Sequence, residues 1–265
     1  MIKLSKIIYL TIIFFLINSF SYAACLSQSK IIEIINGFPN TPIKGIAENI
    51  SLEEAYCSQD KYVNTLKSIN GKIIGYKVGF TGPSTQERFK IKTPATAVLF
   101  EHMFVKNGSS INKDFGHRTL IEPDLMMIVK NSKIMNAKSP LEASKYISSI
   151  HPYIELPALQ IAKGEPITGA VIVAINMVAT KMVMGPGVLM QSTPEFIKSL
   201  AQMETVFEDE NGVVIQNSPG STLMGNPMNV IMWLIEEFNN RGIILKAGDR
   251  LSLGSVGKLF PLKEG

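Results

Sequence analysis

The sequence predicts an α+β fold, in which helices come first and a β-rich body follows. Helix signals dominate between residues 26 and 70, whereas most later segments are short apolar runs separated by turn residues. Strand-like and helix-like segments do not alternate regularly, so a doubly wound βαβ sheet is not expected. Hydrophobic residues make up 46% of the 265 residues and charged residues 18%, which is sufficient for a large apolar core.

The first 24 residues have the layout of a secretory signal peptide. Lys3 and Lys6 precede the apolar stretch IIYLTIIFFLI, and small or polar residues then lead to a cleavage site after Ala23. We therefore expect residues 1–23 to be removed and the mature protein to be secreted, either periplasmic or extracellular. An uncleaved anchor is one alternative. A lipoprotein attached at Cys25 is another, which Tyr22 disfavours because such sites usually carry Leu there.

Charge and cysteine content narrow the function classes. The net charge of +4 falls to +2 once the two signal-peptide lysines are removed, and no Lys/Arg stripe with interleaved aromatic residues follows, so no nucleic-acid partner is expected. No apolar stretch in the mature chain is long enough to form a transmembrane segment. Cys25 and Cys57 lack metal-site or redox-motif spacing. In an oxidising compartment they can pair, and two free thiols are the alternative.

The first half of the chain contains one helical region and several strands. Ser51 and Glu54 form a predicted capping box, and Gly71 is a predicted helix stop. A second box, Ser84 with Glu87, predicts a short helix over 85–90. Strands are predicted over 72–81, 95–105 and 121–130.

The second half contains a helix, apolar runs, a hairpin and a closing helix and strand. Pro140 at a first helical position predicts a helix over 140–149. The apolar runs 153–162 and 170–184 read as strands, and 200–208 with 213–217 read as a hairpin. A helix is predicted from Asn226-Pro227 to Gly242, with Trp233 as a core residue, and a last strand over 250–256.

Two polar features interrupt the apolar strands. Glu122 and Asp124 are one residue apart in LIEPDLMMIVK, so both face the same side of a strand and can hold Mg²⁺ or Mn²⁺. A solvated strand end is the alternative. Lys77 lies inside GYKVGFT, where it either reaches the surface along its stem or lines a pocket for an anionic substrate. Nucleotide-binding, α/β-hydrolase and zinc-protease motifs are absent from the sequence.

Several segments together resemble one family. GYKVGFT, AVLFEHM, IEPDLMMIV, LPALQIA, GNPMNVIMWL and LKAGDRLSLGSVG are similar, in this order, to segments of the 2-keto-4-pentenoate hydratases of the fumarylacetoacetate hydrolase superfamily. This family also includes 2-oxo-hexenedioate decarboxylases. The resemblance runs from about residue 51 to 257, which is most of the mature chain.

The resemblance implies a fold, a metal and a substrate class. The fold would be a mixed β-roll over residues 71–265 that follows an N-terminal helical region over 24–70. Three acids would hold Mg²⁺ or Mn²⁺, which binds a small 2-oxo acid. Glu122 and Asp124 match the first two metal ligands, and Lys77 matches the cation of the pocket. We also expect a homo-oligomer.

The third metal ligand departs from the family pattern. The family's strand ends in LPALE, and LPALQ places Gln160 at the acid, where its neutral carbonyl oxygen would weaken the metal. Glu155 and Glu165 lie five residues away on either side, so in a regular strand they would face away and replace nothing. The first hypothesis is therefore a secreted hydratase-like lyase with an altered metal site. A non-catalytic homologue that binds a small acid or a protein partner is the alternative, and a 2-oxo acid decarboxylase is the third possibility.

Overall fold

A computed structural model describes residues 25–262 of the chain. The predicted signal peptide therefore lies outside the described residues. Within this range no helix combines the length and the apolar character that crossing a membrane requires.

The described residues form seven α-helices and eleven strands. The helices are α1 (Gln28–Gly37), α2 (Leu52–Asn70), α3 (Pro83–Arg88), α4 (Pro140–Ser144), α5 (Gly169–Ala174), α6 (Pro194–Gln202) and α7 (Pro227–Arg241). The strands are β1 (Ile73–Gly79), β2 (Ala95–Phe100), β3 (Phe104–Val105), β4 (Leu120–Val129), β5 (Ile147–Leu156), β6 (Lys181–Met184), β7 (Val188–Leu189), β8 (Glu204–Glu208), β9 (Val214–Pro219), β10 (Arg250–Ser255) and β11 (Phe260–Pro261).

Nine strands form one mixed sheet. Seven follow the order β2-β1-β10-β4-β5-β6-β3, while β11 pairs with β4 and β7 pairs with β5. The β1–β10 and β3–β6 pairs are parallel, and the other pairs in this sheet are antiparallel. Strands β8 and β9 form the separate hairpin that the sequence predicts. The α+β prediction is confirmed.

Helices cover both faces of the central sheet. Leu125 and Met127 of β4 belong to the apolar cluster that contains most of the buried side chains of α7. Met126 points to the opposite face, where it joins Val63 and Leu66 of α2 in a second cluster. Because side chains alternate along a strand, Glu122 and Asp124 share the face of Met126. The two acids therefore lie on the α2 side of the sheet.

Helix α7 begins and ends where the sequence predicts. The side chain of Asn226 accepts a hydrogen bond from the Met228 N–H, Pro227 occupies the first turn, and Gly242 ends the helix in a left-handed conformation. Trp233 is half-buried and packs against the core, as predicted.

The N-terminal helices are tied together covalently. The predicted capping box of Ser51 and Glu54 is formed at the start of α2, and Gly71 caps its end. Cys25 and Cys57 form a disulfide with their Cα atoms 5.6 Å apart, which resolves the pairing that the sequence left open. The disulfide attaches the start of the described chain, just before α1, to α2.

Loss of this disulfide is expected to destabilise the protein. The bridge links residues 32 positions apart, and a loop of this size corresponds to about 4 kcal/mol of chain entropy removed from the unfolded state. Urea unfolding of a Cys25→Ser/Cys57→Ser double variant should show that loss. Dithiothreitol should lower the midpoint of the wild type and leave that of the double variant unchanged; equal stability of the two proteins under oxidising conditions would contradict the prediction.

Two of the predicted elements are wrong. The run 170–184 is not one strand, because Thr168 caps the buried helix α5 and β6 begins only at Lys181. A short apolar run that is buried on all sides has no periodicity that separates helix from strand. The helix predicted over 140–149 ends at Ser144, and β5 begins at Ile147.

Two helix starts also differ from the sequence prediction. Helix α3 begins at Pro83 after Gly82, without a side-chain cap, so the Ser84–Glu87 capping box is not formed. Helix α6 occupies Pro194–Gln202 and was not predicted; Thr193 caps it. In both helices the first residue is a proline, whose fixed φ favours the first helical turn.

Candidate metal centre

The two acids of β4 enter the site because a proline and a bulge interrupt the sheet beside them. Pro123 lies between Glu122 and Asp124 and has no N–H to donate to a neighbouring strand. The partner strand β10 shifts its register between Ser252 and Ser255, next to this proline. Gly254 allows the shift, since its φ of +97° favours glycine.

Glu155 of β5 completes a group of three carboxylates. In the β4–β5 ladder Glu155 lies directly opposite Glu122, and Tyr153 lies directly opposite Asp124. Side chains of such partners share one face of the sheet, with Cβ atoms about 5 Å apart. One oxygen from each of Glu122, Asp124 and Glu155 lies within 4.8 Å of the others, and all three residues are buried. Among residues 25–262 no other group of acids, histidines and cysteines meets this condition.

Lys77 and Ser252 connect the carboxylates to two further strands. The two residues are partners in the β1–β10 ladder. The Lys77 ammonium donates to Glu155 Oε1 in a buried ion pair. The Ser252 hydroxyl donates to Asp124 Oδ2 at 2.9 Å, and the Leu125 N–H donates to Asp124 Oδ1 at 2.5 Å. Asp124 and Glu155 are thereby held in fixed orientations.

The electrostatics of this group favour a bound cation. Burial raises the pKa of Glu122 well above its usual value, and the charge of Glu155 adds to the effect. Burial, followed by the charge of Glu155, raises the pKa of Asp124 to about 7. Burial alone would lower the pKa of Lys77, but the charges of Glu155 and Glu122 outweigh it, so that pKa is raised.

The donor set fits a hard divalent cation. Three carboxylates and one ammonium carry a net charge of −2 when all are ionised, and a divalent cation would balance it. Mg²⁺ and Mn²⁺ prefer oxygen ligands of this kind. Glu155 Oε2 is buried without a hydrogen-bond partner, so it has a lone pair available for a metal.

Comparison with known proteins identifies relatives over nearly the whole chain. The 2-keto-4-pentenoate hydratase of Paraburkholderia xenovorans is 23% identical over 240 residues, which cover 90% of this chain and 87% of the relative. The chain is thus similar to the 2-keto-4-pentenoate hydratases over most of its length. No family model matches the sequence.

The fold is also found among solved structures. The 4-oxalocrotonate decarboxylase from Pseudomonas putida G7 matches with a TM-score of 0.76 in its complex with calcium and acetate, and 0.75 in its complex with magnesium and adipate. The identities are 18% and 19%, and each alignment covers 90% of both chains. The mixed sheet described above is therefore the fold of this decarboxylase.

The expectation that Glu155 faces away from the site is wrong. It assumed a regular strand through Gln160, but β5 ends at Leu156, and Gln160 has a left-handed φ of +55°. The superfamily's LPALE pattern also matches the preceding stretch HPYIE, in which Pro152 and Glu155 have the same spacing as Pro157 and Gln160. The third acid can therefore be found at Glu155. The repeated Pro-x-x-Glu/Gln spacing was the signal that the sequence analysis missed.

Gln160 lies beyond the end of β5 and outside the group of three carboxylates. Its backbone N–H donates to His117, and its carbonyl accepts from Ile43, which anchors the linker between α1 and α2. The buried side chain makes no hydrogen bond to described residues and lines a cavity of about 30 Å³ together with Tyr62 and Thr180. The structure thus brings Lys77, Glu122 and Asp124 together with Glu155. Ligation by Gln160 stays a prediction.

Proposed function

We propose that this protein is a divalent-metal-dependent hydro-lyase that acts on a small 2-oxo or 2-hydroxydienoic acid. The name of its relative, 2-keto-4-pentenoate hydratase, supports this reaction class. The observation that carries the proposal is the buried group of Glu122, Asp124 and Glu155 with Lys77, whose excess of negative charge matches a divalent cation. Mg²⁺ and Mn²⁺ are the proposed ions, and Glu122, Asp124 and Glu155 are the proposed ligands.

A metal in this position would act as a Lewis acid on the 2-oxo oxygen of the substrate. Lys77 is fixed beside it by the ion pair with Glu155 and is held in its charged form. An ammonium has three N–H bonds, so Lys77 can donate to Glu155 and still donate to a substrate oxygen. A cation held in place before the reaction stabilises the negative charge that develops there without reorganising solvent.

The alternative of a non-catalytic homologue rested in part on a missing third acid. Glu155 supplies a carboxylate in the same buried group, so the donor set is complete in number. With this acid present, the departure from the family pattern at Gln160 no longer argues for an eroded pocket.

The function is tested directly with 2-hydroxypenta-2,4-dienoate. Purified mature protein with Mg²⁺ or Mn²⁺ should remove the dienoate absorbance, and EDTA should stop the reaction. Release of CO₂ from a 2-oxo-hexenedioate, without hydration of the dienoate, would reassign the protein as a decarboxylase. Failure of both reactions with metal bound would overturn the proposal.

Metal binding is expected to tighten as the pH rises through about 7. Asp124 has a pKa of about 7 in the metal-free protein and must lose its proton to bind a cation. The raised pKa also means that this carboxyl stabilises the metal-free fold at pH below about 4, and that this stability is lost as the pH rises to about 7. Mg²⁺ should therefore raise the melting temperature more at pH 8 than at pH 6. A metal-induced shift that is equal at both pH values would contradict this expectation.

We also propose that the mature protein works outside the cytoplasm. The apolar, lysine-led N-terminus supports this location, and so does the Cys25–Cys57 disulfide, which needs an oxidising compartment. Cell fractionation and mass spectrometry of the mature N-terminus test it. Full-length protein recovered from the cytoplasm would contradict it.

A further inference from the structure

Tyr153 lies inside the candidate metal centre but takes no part in the contacts described so far. It pairs with Asp124 across the β4–β5 ladder and is two residues before Glu155, so its side chain lies on the same face as the three acids. Its ring packs in the apolar cluster with Met126 and Met182, and only 3% of the residue is exposed. The position is therefore fixed by packing.

The Tyr153 hydroxyl has no hydrogen-bond partner among the described residues. Burial raises the pKa of the phenol and the nearby Ser252 hydroxyl lowers it in part, but this hydroxyl donates its own hydrogen to Asp124 and forms no well-aligned hydrogen bond with Tyr153. A buried hydroxyl without a well-aligned partner is unfavourable for the folded state.

The phenol adds one hydrogen-bond donor on the face of the sheet that carries the acids. None of the three carboxylates accepts a hydrogen bond from it. The donor can therefore serve an acceptor that arrives with a ligand.

We propose that Tyr153 is a substrate-binding residue, whose hydroxyl donates a hydrogen bond to a carboxylate or 2-oxo oxygen of the small acid held at the metal centre. This inference rests on the proposed function, because it needs a 2-oxo acid bound next to Glu122, Asp124 and Glu155.

The variant Tyr153→Phe tests whether the hydroxyl contributes to ligand binding or to the stability of the fold. It removes only the unpartnered hydroxyl, so the melting temperature without ligand should stay the same or rise, and Mg²⁺ affinity should not change. Pyruvate, used as a small 2-oxo acid, should bind the Mg²⁺-loaded variant about tenfold more weakly in calorimetric titration, as expected for one lost hydrogen bond. In the dienoate assay KM should rise more than kcat falls.

Tyr76→Phe is the matched control. It makes the same chemical change on β1, where Tyr76 packs against Phe238 on the α7 side, and it should alter none of these values.

Each outcome decides the inference. Equal pyruvate affinity in the variant and the wild type would overturn it. A lower melting temperature or weaker Mg²⁺ binding of Tyr153→Phe would overturn it as well, because the hydroxyl would then have a structural role. If the wild type binds Mg²⁺ and pyruvate and the variant binds pyruvate weakly, but no dienoate is hydrated, the proposed reaction fails and the role of Tyr153 stands. A wild type that, with Mg²⁺, neither binds pyruvate nor acts on either substrate overturns both.

Discussion

Glu155→Gln is expected to weaken Mg²⁺ binding by about 100-fold or more and to abolish hydratase activity. Glutamine keeps the size of the side chain but removes one of three negative charges, and it leaves Lys77 without its ionic partner. Isothermal titration of Mg²⁺ and the metal-induced shift in melting temperature both report the loss. Circular dichroism of the variant checks that the sheet is still formed.

The matched control for this variant is Gln160→Ala. It removes the other candidate third ligand while leaving the three carboxylates unchanged, so Mg²⁺ affinity should stay within about threefold of the wild type. The reverse pattern, with Gln160→Ala losing the metal and Glu155→Gln retaining it, would restore the assignment of Gln160 and reject that of Glu155.

Lys77→Met should lower kcat by about 100- to 1,000-fold, the usual effect of removing one donor that stabilises a developing negative charge. The variant should also lose about 3 kcal/mol of stability in the metal-free state at pH 8, because Glu155 would remain buried without its partner. Mg²⁺ should recover part of this stability by binding to the freed carboxylate. Steady-state kinetics and urea unfolding with and without Mg²⁺ measure the two effects.

Lys181→Met provides the comparison for Lys77→Met. Lys181 begins β6 and is half-buried, and it lies opposite Leu156 rather than an acid. Its replacement should leave kcat and the metal response unchanged. Full activity of Lys77→Met would show that its ammonium does not contact the substrate.

Local patterns predicted the parts of the fold that depend on neighbouring residues. The caps of α2 and α7 are read from Ser51, Glu54 and Gly242, since capping involves residues within one turn. The period of two in a strand placed Glu122 and Asp124 on one face. The apolar surroundings of Lys77 predicted either a pocket or an exposed ammonium, and the structure shows it buried.

Local patterns could not predict which strands meet. Glu155 joins the acids because β5 pairs with β4 in a particular register, and no short-range signal sets that register. The alternation of side chains along a strand excluded Glu155 only if one strand ran through Gln160. It does not, because β5 ends at Leu156. Tyr153 was missed for the same reason, since its importance comes only from its partner Asp124.

The pairing pattern of the centre has a consequence for how the protein folds. The Lys77–Glu155 contact joins residues 78 positions apart, and the Ser252–Asp124 bond joins residues 128 positions apart. Contacts of such long range form late, because the chain must first close large loops. Because these contacts complete the centre, we expect a cation to bind the finished sheet rather than to nucleate its folding as zinc does in a zinc finger. Metal should then slow unfolding and leave the refolding rate unchanged.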